Sequence, residues 1–273
     1  RPRGRGRRTE PTAVRARALE LGLSTREMSK ANYAEVVGEI RALAPDVVVV
    51  VAFGIILKRD LLDLPPLGCV NVHASLLPRH RGVSPIQAAI LAGDKVSGCT
   101  TMRIDEQVDT GGILLVEETP IAPDETAGSL SDRLARVGAH LLVRTLDGIA
   151  DGTITPVAQD PSRATKTLKL RKGDGEIDWS LDCASLDRRI RAMTPWPSAF
   201  TFHTGRRVIV VEASPLTDAA GEPGRIVSLE PLRVACGEGA VEIHRLKPEG
   251  GKVMPPAAYL AGHAARVGDR WGR

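Results

Sequence analysis

At 273 residues the chain is longer than a typical single domain and comfortable for two. Hydrophobic residues at 42 % and charged residues at 26 % are an ordinary soluble composition. The net charge of +4 is too small to establish a nucleic-acid partner, and the longest apolar run, residues 47–53, is far short of the roughly 20 needed for a membrane-spanning helix.

The first ten residues read as an exposed loop in which Arg1, Arg3, Arg5, Arg7 and Arg8 concentrate positive charge. Its Gly and Pro residues argue against an amphipathic transit helix, and no secretory signal is visible. A helix is predicted over 11–21, with Pro11 suited to its first turn. A second is predicted over 33–43, where Val36, Val37, Ile40 and Leu43 share a face. Pro45 ends it. The β-branched run at 46–51 lacks alternation, which fits a strand buried on both faces of a parallel sheet. Further strands are predicted at 69–73, 100–104 and 113–119, with helices at 85–92 and 129–149. In the last helix Leu130, Leu134, Val137, Leu141 and Leu142 are in phase. Alternating strands and helices point to an open α/β sheet.

After residue 152 the character changes. Residues 160–173 are polar and basic, as in a linker. A helix at 186–193 is followed by short strands at 208–211, 225–229, 232–236 and 241–246, separated by Gly- and Pro-containing turns. That spacing predicts a small β-barrel. The expected organisation is an α/β domain over 1–155, a basic linker over 156–172 and a mostly β domain over 173–273. Cys69, Cys99, Cys183 and Cys236 form no CxxC pair and have no His at metal spacing, so they read as free thiols in a reducing cytoplasm.

The densest chemistry lies in Gly68-Cys-Val-Asn-Val-His-Ala-Ser-Leu-Leu-Pro78. On a strand, Asn71 and His73 project to one face while Val70 and Val72 pack on the other. Ligands of open parallel sheets bind at the carboxyl ends of the strands. An amide and an imidazole there form a donor pair suited to an oxyanion. Downstream, residues 105–112 (DEQVDTGG) put carboxylates into a Gly-rich loop at a sheet edge. Taken singly, Asn71 with His73 reads more often as a structural pair, and Asp109 as a turn former.

Together, NVHASLLP, RHRGVSPIQAAILAGD and DEQVDTGG resemble the signature of the folate-dependent formyltransferase family. That family includes glycinamide ribonucleotide transformylase, sugar N-formyltransferases and formyltetrahydrofolate hydrolase domains. The resemblance implies a Rossmann-like open, mainly parallel sheet followed by a small, OB-like C-terminal β-barrel. It implies 10-formyltetrahydrofolate as formyl donor and no metal. It places Asn71, His73 and Asp109 on the catalytic Asn, His and Asp. It places Phe53, Gly54, Ile55, Ile56 and Leu57, with Ser75, Leu76, Leu77 and Pro78, on the segments that hold the folate.

The Arg-rich start, GEIDWS (175–180) and IRAMTPWPSAF (190–200) are similar to the branch that formylates methionyl initiator tRNA in the cytoplasm and so supports translation initiation. That similarity implies tRNA contacts from Arg1, Arg3, Arg5, Arg7, Arg8, Lys166, Lys169, Arg171 and Lys172, extended by Arg188, Arg189 and Arg191, on a monomer with no membrane partner. The chain departs from the family at His80, where an aromatic is usual, and at Thr165-Lys-Thr167, which replaces a Tyr-containing pattern. The family's first strand, helix and second strand are expected to precede Arg1. A sugar or nucleotide N-formyltransferase would keep the three side chains without the RNA surface. A hydrolase would use water as acceptor, and a non-catalytic RNA-binding remnant would bind without transfer.

Overall fold

The computed structural model describes residues 11–272, together with the backbone of two short strands before them. Two compact units divide the chain, residues 1–48 with 53–68 and residues 49–52 with 69–273.

In the first unit, β1 (Pro2–Arg3) pairs antiparallel with β2 (Arg8–Thr9). The helix α1 (Ala13–Glu20) starts at Thr12, whose hydroxyl accepts the Arg15 N–H, and it buries none of its residues. Tyr33, Val36 and Val37 lie one helical turn apart on α2 (Tyr33–Ala42), and all three are buried. Leu43, expected on the same face, caps the helix and is exposed. Val48, the first residue of β3 (Val48–Val51), donates to the Gly68 carbonyl. The short α3 (Arg59–Leu62) buries Leu61. Ahead of it, the Lys58 N–H donates to the Tyr33 hydroxyl, which itself donates to Asp60.

The second unit holds a four-stranded sheet in the order β3-β4-β6-β7, formed with β4 (Cys69–His73), β6 (Val96–Arg103) and β7 (Ile113–Pro120). The tiny β5 (Arg81–Gly82) and the helix α4 (Pro85–Ala92) lie between β4 and β6. Because β3 begins beside Gly68, immediately ahead of β4, these two strands run parallel. The pairs β4–β6 and β6–β7 are antiparallel, so the sheet is mixed and not mainly parallel as expected. The reason is in the connection. Residues 74–95 leave β4 and enter β6 at the same edge, with His73 opposite Thr100, so no crossover spans the sheet.

The long helix α5 (Ala127–Ala150) begins with a capping box between Thr126 and Ser129 and buries Leu130, Leu134 and Leu141. Gly138 lets it approach the sheet closely. A Cβ there would lie 2.9 Å from Val72 Cγ1 and 3.3 Å from Cys99 Sγ. Residues 156–172, read from sequence as a linker, run back along the α/β half. Val157 bridges Ile113, and β8 (Lys166–Thr167) pairs with β5.

Next, α6 (Cys183–Met193), capped by Asp182, packs on α4 and α5 and carries its other face into the β half. The β half has a five-stranded sheet built from β9 (Phe200–His203), β10 (Arg206–Leu216), β11 (Ile226–Leu229), β12 (Leu232–Ala235) and β13 (Ala240–Pro248). Its order is β11-β12-β13-β10-β9. The helix α7 (Pro256–Gly262) follows. The chain end then bridges both edges, with Arg270 on Arg225 beside β11 and Trp271 on His203 of β9. The result is a curled, antiparallel sheet around Leu186, Ile190, Val210, Val241 and Trp271, in keeping with the predicted barrel.

Gly138→Leu should wedge α5 off β4 and lower unfolding free energy by about 1–3 kcal/mol. Urea denaturation measures it; an unchanged midpoint would show that the packing tolerates the added volume.

Candidate active site

Strand alternation sets the site. Gly138 of α5 packs on Val72, so the odd-numbered pair Asn71 and His73 lies on the opposite face of β4. His73 is 6 % exposed and Asn71 is half-buried. Nε2 of His73 lies 3.0 Å from the His80 carbonyl. A carbonyl only accepts, so Nε2 carries the proton.

Asp109 reaches the same place by an unexpected route. Its loop follows Arg103, which pairs with Val70 near the start of β4, yet it folds back over the face. Asp109 Oδ2 lies 3.6 Å from His73 Nδ1, close enough for charge attraction but too far for a direct hydrogen bond. The same oxygen accepts the Gly82 N–H at 2.7 Å. Asp109 sits at φ +55°, in the left-handed region that costs a non-glycine residue energy. Gly111 permits the fold-back, because a Cβ there would lie 1.9 Å from the Arg103 carbonyl.

The turn that follows His73 is buried and fully tied. The Thr100 hydroxyl donates to the Ser75 carbonyl at 2.7 Å and accepts the Leu77 N–H at 3.1 Å. Ser75 Oγ donates to the Arg79 carbonyl. The His80 N–H donates to Thr165 Oγ1 at 2.8 Å, and the Arg81 N–H to the Thr165 carbonyl at 2.9 Å. Gly82, at φ +109°, lies so near Thr167 that a Cβ would meet its Oγ1 at 2.8 Å. Thr165 and Thr167 are thus partners of the turn's backbone. His80 is buried at φ +59°, with Nε2 2.7 Å from Asp94 Oδ2, and Arg79 bonds the other oxygen of Asp94 at 2.6 Å. A cavity of about 280 Å³ lies on this outer side, lined by Leu76, His80, Asp94 and Ser97 among others. Asn71, His73 and Asp109 do not line it, so it is not where these three side chains converge.

Residues 1–146 match the family model described as formyl transferase, and residues 169–264 match that of the formyl transferase C-terminal domain. The chain belongs to the formyl transferase family. It is 44 % identical over 270 residues to the methionyl-tRNA formyltransferase of Trichlorobacter lovleyi, covering 98 % of this chain and 85 % of that one. It is 46 % identical over 256 residues to the enzyme of that name from Pseudomonas paraeruginosa, covering 93 % and 82 %. Among solved structures, HypX from Aquifex aeolicus in complex with tetrahydrofolic acid superposes with a TM-score of 0.65 at 19 % identity, over 85 % of this chain and 42 % of that one.

Within this formyl transferase fold the sequence-predicted residues fall into groups. Asn71, His73 and Asp109 share one face of the second unit. Ser75, Leu77 and Pro78 are buried in the tied turn. Phe53, Gly54, Ile55, Ile56 and Leu57 belong to the first unit, where Leu57 is buried and Phe53 and Ile56 are exposed. Lys166, Lys169, Arg171 and Lys172 are exposed. Arg189 is bonded to the carbonyls of Asp174 and Glu176, and Arg191 to Asp187 and the Glu125 carbonyl, so neither extends that basic segment. Arg188 bonds Ser185 Oγ. Arg1, Arg5 and Arg7, and the side chains of Arg3 and Arg8, lie outside the described residues. Among the described residues no group of three or more His, Cys, Asp or Glu side chains could hold a metal ion, and no helix is long and apolar enough to cross a membrane. Sequence reasoning assigned no role to Arg81, although it stands in the RHRG motif, or to Thr165, and it missed Thr100 and Gln159, which stand in no pattern that marks them.

Burial raises the Asp94 carboxyl pKa, but the hydrogen bonds and charges of His80 and Arg79 outweigh it and hold the group below its ordinary 3.8. A depressed folded value adds stability that is full above the unfolded value and lost as pH falls through the folded one. Asp94→Asn should therefore destabilise at neutral pH, and its gap from wild type should shrink as pH drops below 3.8. Urea midpoints across that range test this; a gap constant with pH would contradict it.

Proposed function

We propose that the chain transfers the formyl group of 10-formyltetrahydrofolate to the α-amine of methionyl initiator tRNA, with Asn71, His73 and Asp109 as the reacting side chains. The observation that carries the reading is the return of Asp109 to within 3.6 Å of His73 on the face that bears Asn71. Relatives called methionyl-tRNA formyltransferase, matched over nearly the whole chain, favour tRNA as the acceptor. A folate donor accords with the family and with the tetrahydrofolic acid held by the HypX relative in fold.

The methionyl amine attacks the formyl carbon. A new C–N bond forms, the carbonyl oxygen gains negative charge, and the bond to folate N10 then breaks. The Asn71 amide has no side-chain hydrogen bond among the described residues and donates to that oxygen. The Nε2–H of His73, now held by the His80 carbonyl, is the second donor, which the oxygen takes over. Asp109, on the Nδ1 side, holds the imidazole in place and accepts the amine proton through water, and that proton passes on to folate N10 as the C–N10 bond breaks.

We read residues 1–155 as the catalytic domain, 173–273 as an OB-like barrel for tRNA, and 156–172 as the connection. The exposed Lys166, Lys169, Arg171 and Lys172 join the N-terminal arginines along the phosphates.

Asn71→Ala should lower kcat for formyl transfer by about 100- to 1000-fold with an unchanged melting temperature. Wild-type turnover would sink the oxyanion role. Replacing Lys166, Lys169, Arg171 and Lys172 by Gln should flatten the salt dependence of tRNA binding by about 0.7–0.9 in log–log slope for each phosphate no longer neutralised. An identical slope would remove this segment from the interface.

A further inference from the structure

We propose that Gln159, oriented by Arg81, is a positioning residue that sets where the Asp109 carboxylate faces His73. The inference rests on the role given above to Asp109 and deepens it. Asp109 is held on its side-chain side by the Gly82 N–H, but its strained backbone needs separate support. Gln159 supplies it. One side-chain amide group donates to two carbonyls of the loop, that of Asp109 at 3.0 Å and that of Gly111 at 2.8 Å. Those two carbonyls belong to the positive-φ residue itself and to the glycine two residues after it, so the pair of bonds holds the backbone from which the Asp109 side chain leaves.

The amide cannot turn over. Its oxygen accepts both Nε and Nη2 of Arg81, at 3.0 and 2.7 Å, and those atoms only donate. Arg81 is itself buried, at 8 % exposure, and no carboxylate of the described residues lies within ion-pair distance of it. A buried guanidinium without a counterion binds a carbonyl dipole strongly, so Gln159 is pinned by a charge-assisted fork. Arg81 also stands between His80, whose carbonyl holds His73, and Gly82, whose N–H holds Asp109. The two catalytic side chains are therefore referred to one rigid turn, and Gln159 ties the Asp109 loop to that turn. Gln159 is delivered by the Val157–Ile113 bridge beside β7. Its residue type follows from the bonding: two donors on one side and two acceptor positions on the other are what a primary amide has. Glu at this position would keep the Arg81 fork but turn carboxylate oxygens toward two carbonyls.

The test is a double-mutant cycle on the full chain with Gln159→Glu, Asp109→Asn and the two together, in formyl transfer to methionyl-tRNA. Gln159→Glu should lower kcat by about 10- to 100-fold while both KM values stay within about twofold, because it misplaces a catalytic group and not a substrate. Combined with Asp109→Asn it should cost nothing further, because both changes remove the same interaction. Gln159→Met, which removes the donors and the acceptor at equal length, has to meet the same two criteria. Wild-type kcat in Gln159→Glu beside a collapsed Asp109→Asn would overturn the positioning role alone. Full multiplication of the two losses would do the same. Wild-type turnover in Asp109→Asn would overturn the role of Asp109, and this inference with it.

Discussion

The turn that leaves His73 is buried, and a buried backbone group without a partner costs about 1–3 kcal/mol. That constraint organises the α/β half. From Ser75 to Ser84 the chain has no regular strand or helix long enough to satisfy itself, so its partners come from elsewhere. Thr100 on β6 serves Ser75 and Leu77, Thr165 serves His80 and Arg81, and Thr167 serves Ser84. Residues 156–167 are thereby drawn back along the sheet, and they bring Gln159 to the Asp109 loop.

The chemistry inherits its geometry from those hydrogen-bonding demands. Asp109 lies on a loop that starts at the wrong end of β4 for His73, and only a left-handed residue, a glycine with no room for Cβ and a fixed amide bring it back. The strain at φ +55° sits where the Asp109 carboxylate turns toward His73, in a loop held by its surroundings. His80 has a parallel place on the outer side. Its ring is committed to Asp94 and its carbonyl to His73, so the outer ion-pair cluster and the inner imidazole share one residue.

Much of this was legible in the sequence. The strand at 69–73 and the helix at 85–92 have the predicted bounds, because Gly68 and Pro85 punctuate them clearly. The long helix appears where its leucines are in phase. Strand direction and burial were not legible: the run expected to be buried on both faces is the edge strand β3, with Val49 and Val51 exposed, and the β4–β6 pair came out antiparallel. β10 extends to 206–216, beyond the predicted 208–211, because its ends alternate with polar residues. The short β9 and α7 lacked a periodic signal. Strand alternation and a Gly-rich loop alone left Asn71, His73 and Asp109 reading as a structural pair and a turn former; only the joint resemblance of NVHASLLP, RHRGVSPIQAAILAGD and DEQVDTGG to the family signature singled them out. Gln159 and Thr165 could not be singled out, since a lone amide or hydroxyl in a basic segment carries no trace of the partner that folding supplies.

Formyl transfer from 10-formyltetrahydrofolate, offered methionyl initiator tRNA, a nucleotide-linked amino sugar and water as competing acceptors, tests the central claim most directly. The proposed function predicts that the label appears on the methionyl amine and that added salt suppresses it. Label on the amino sugar, or folate hydrolysis indifferent to tRNA, would contradict that prediction while leaving membership of the family intact.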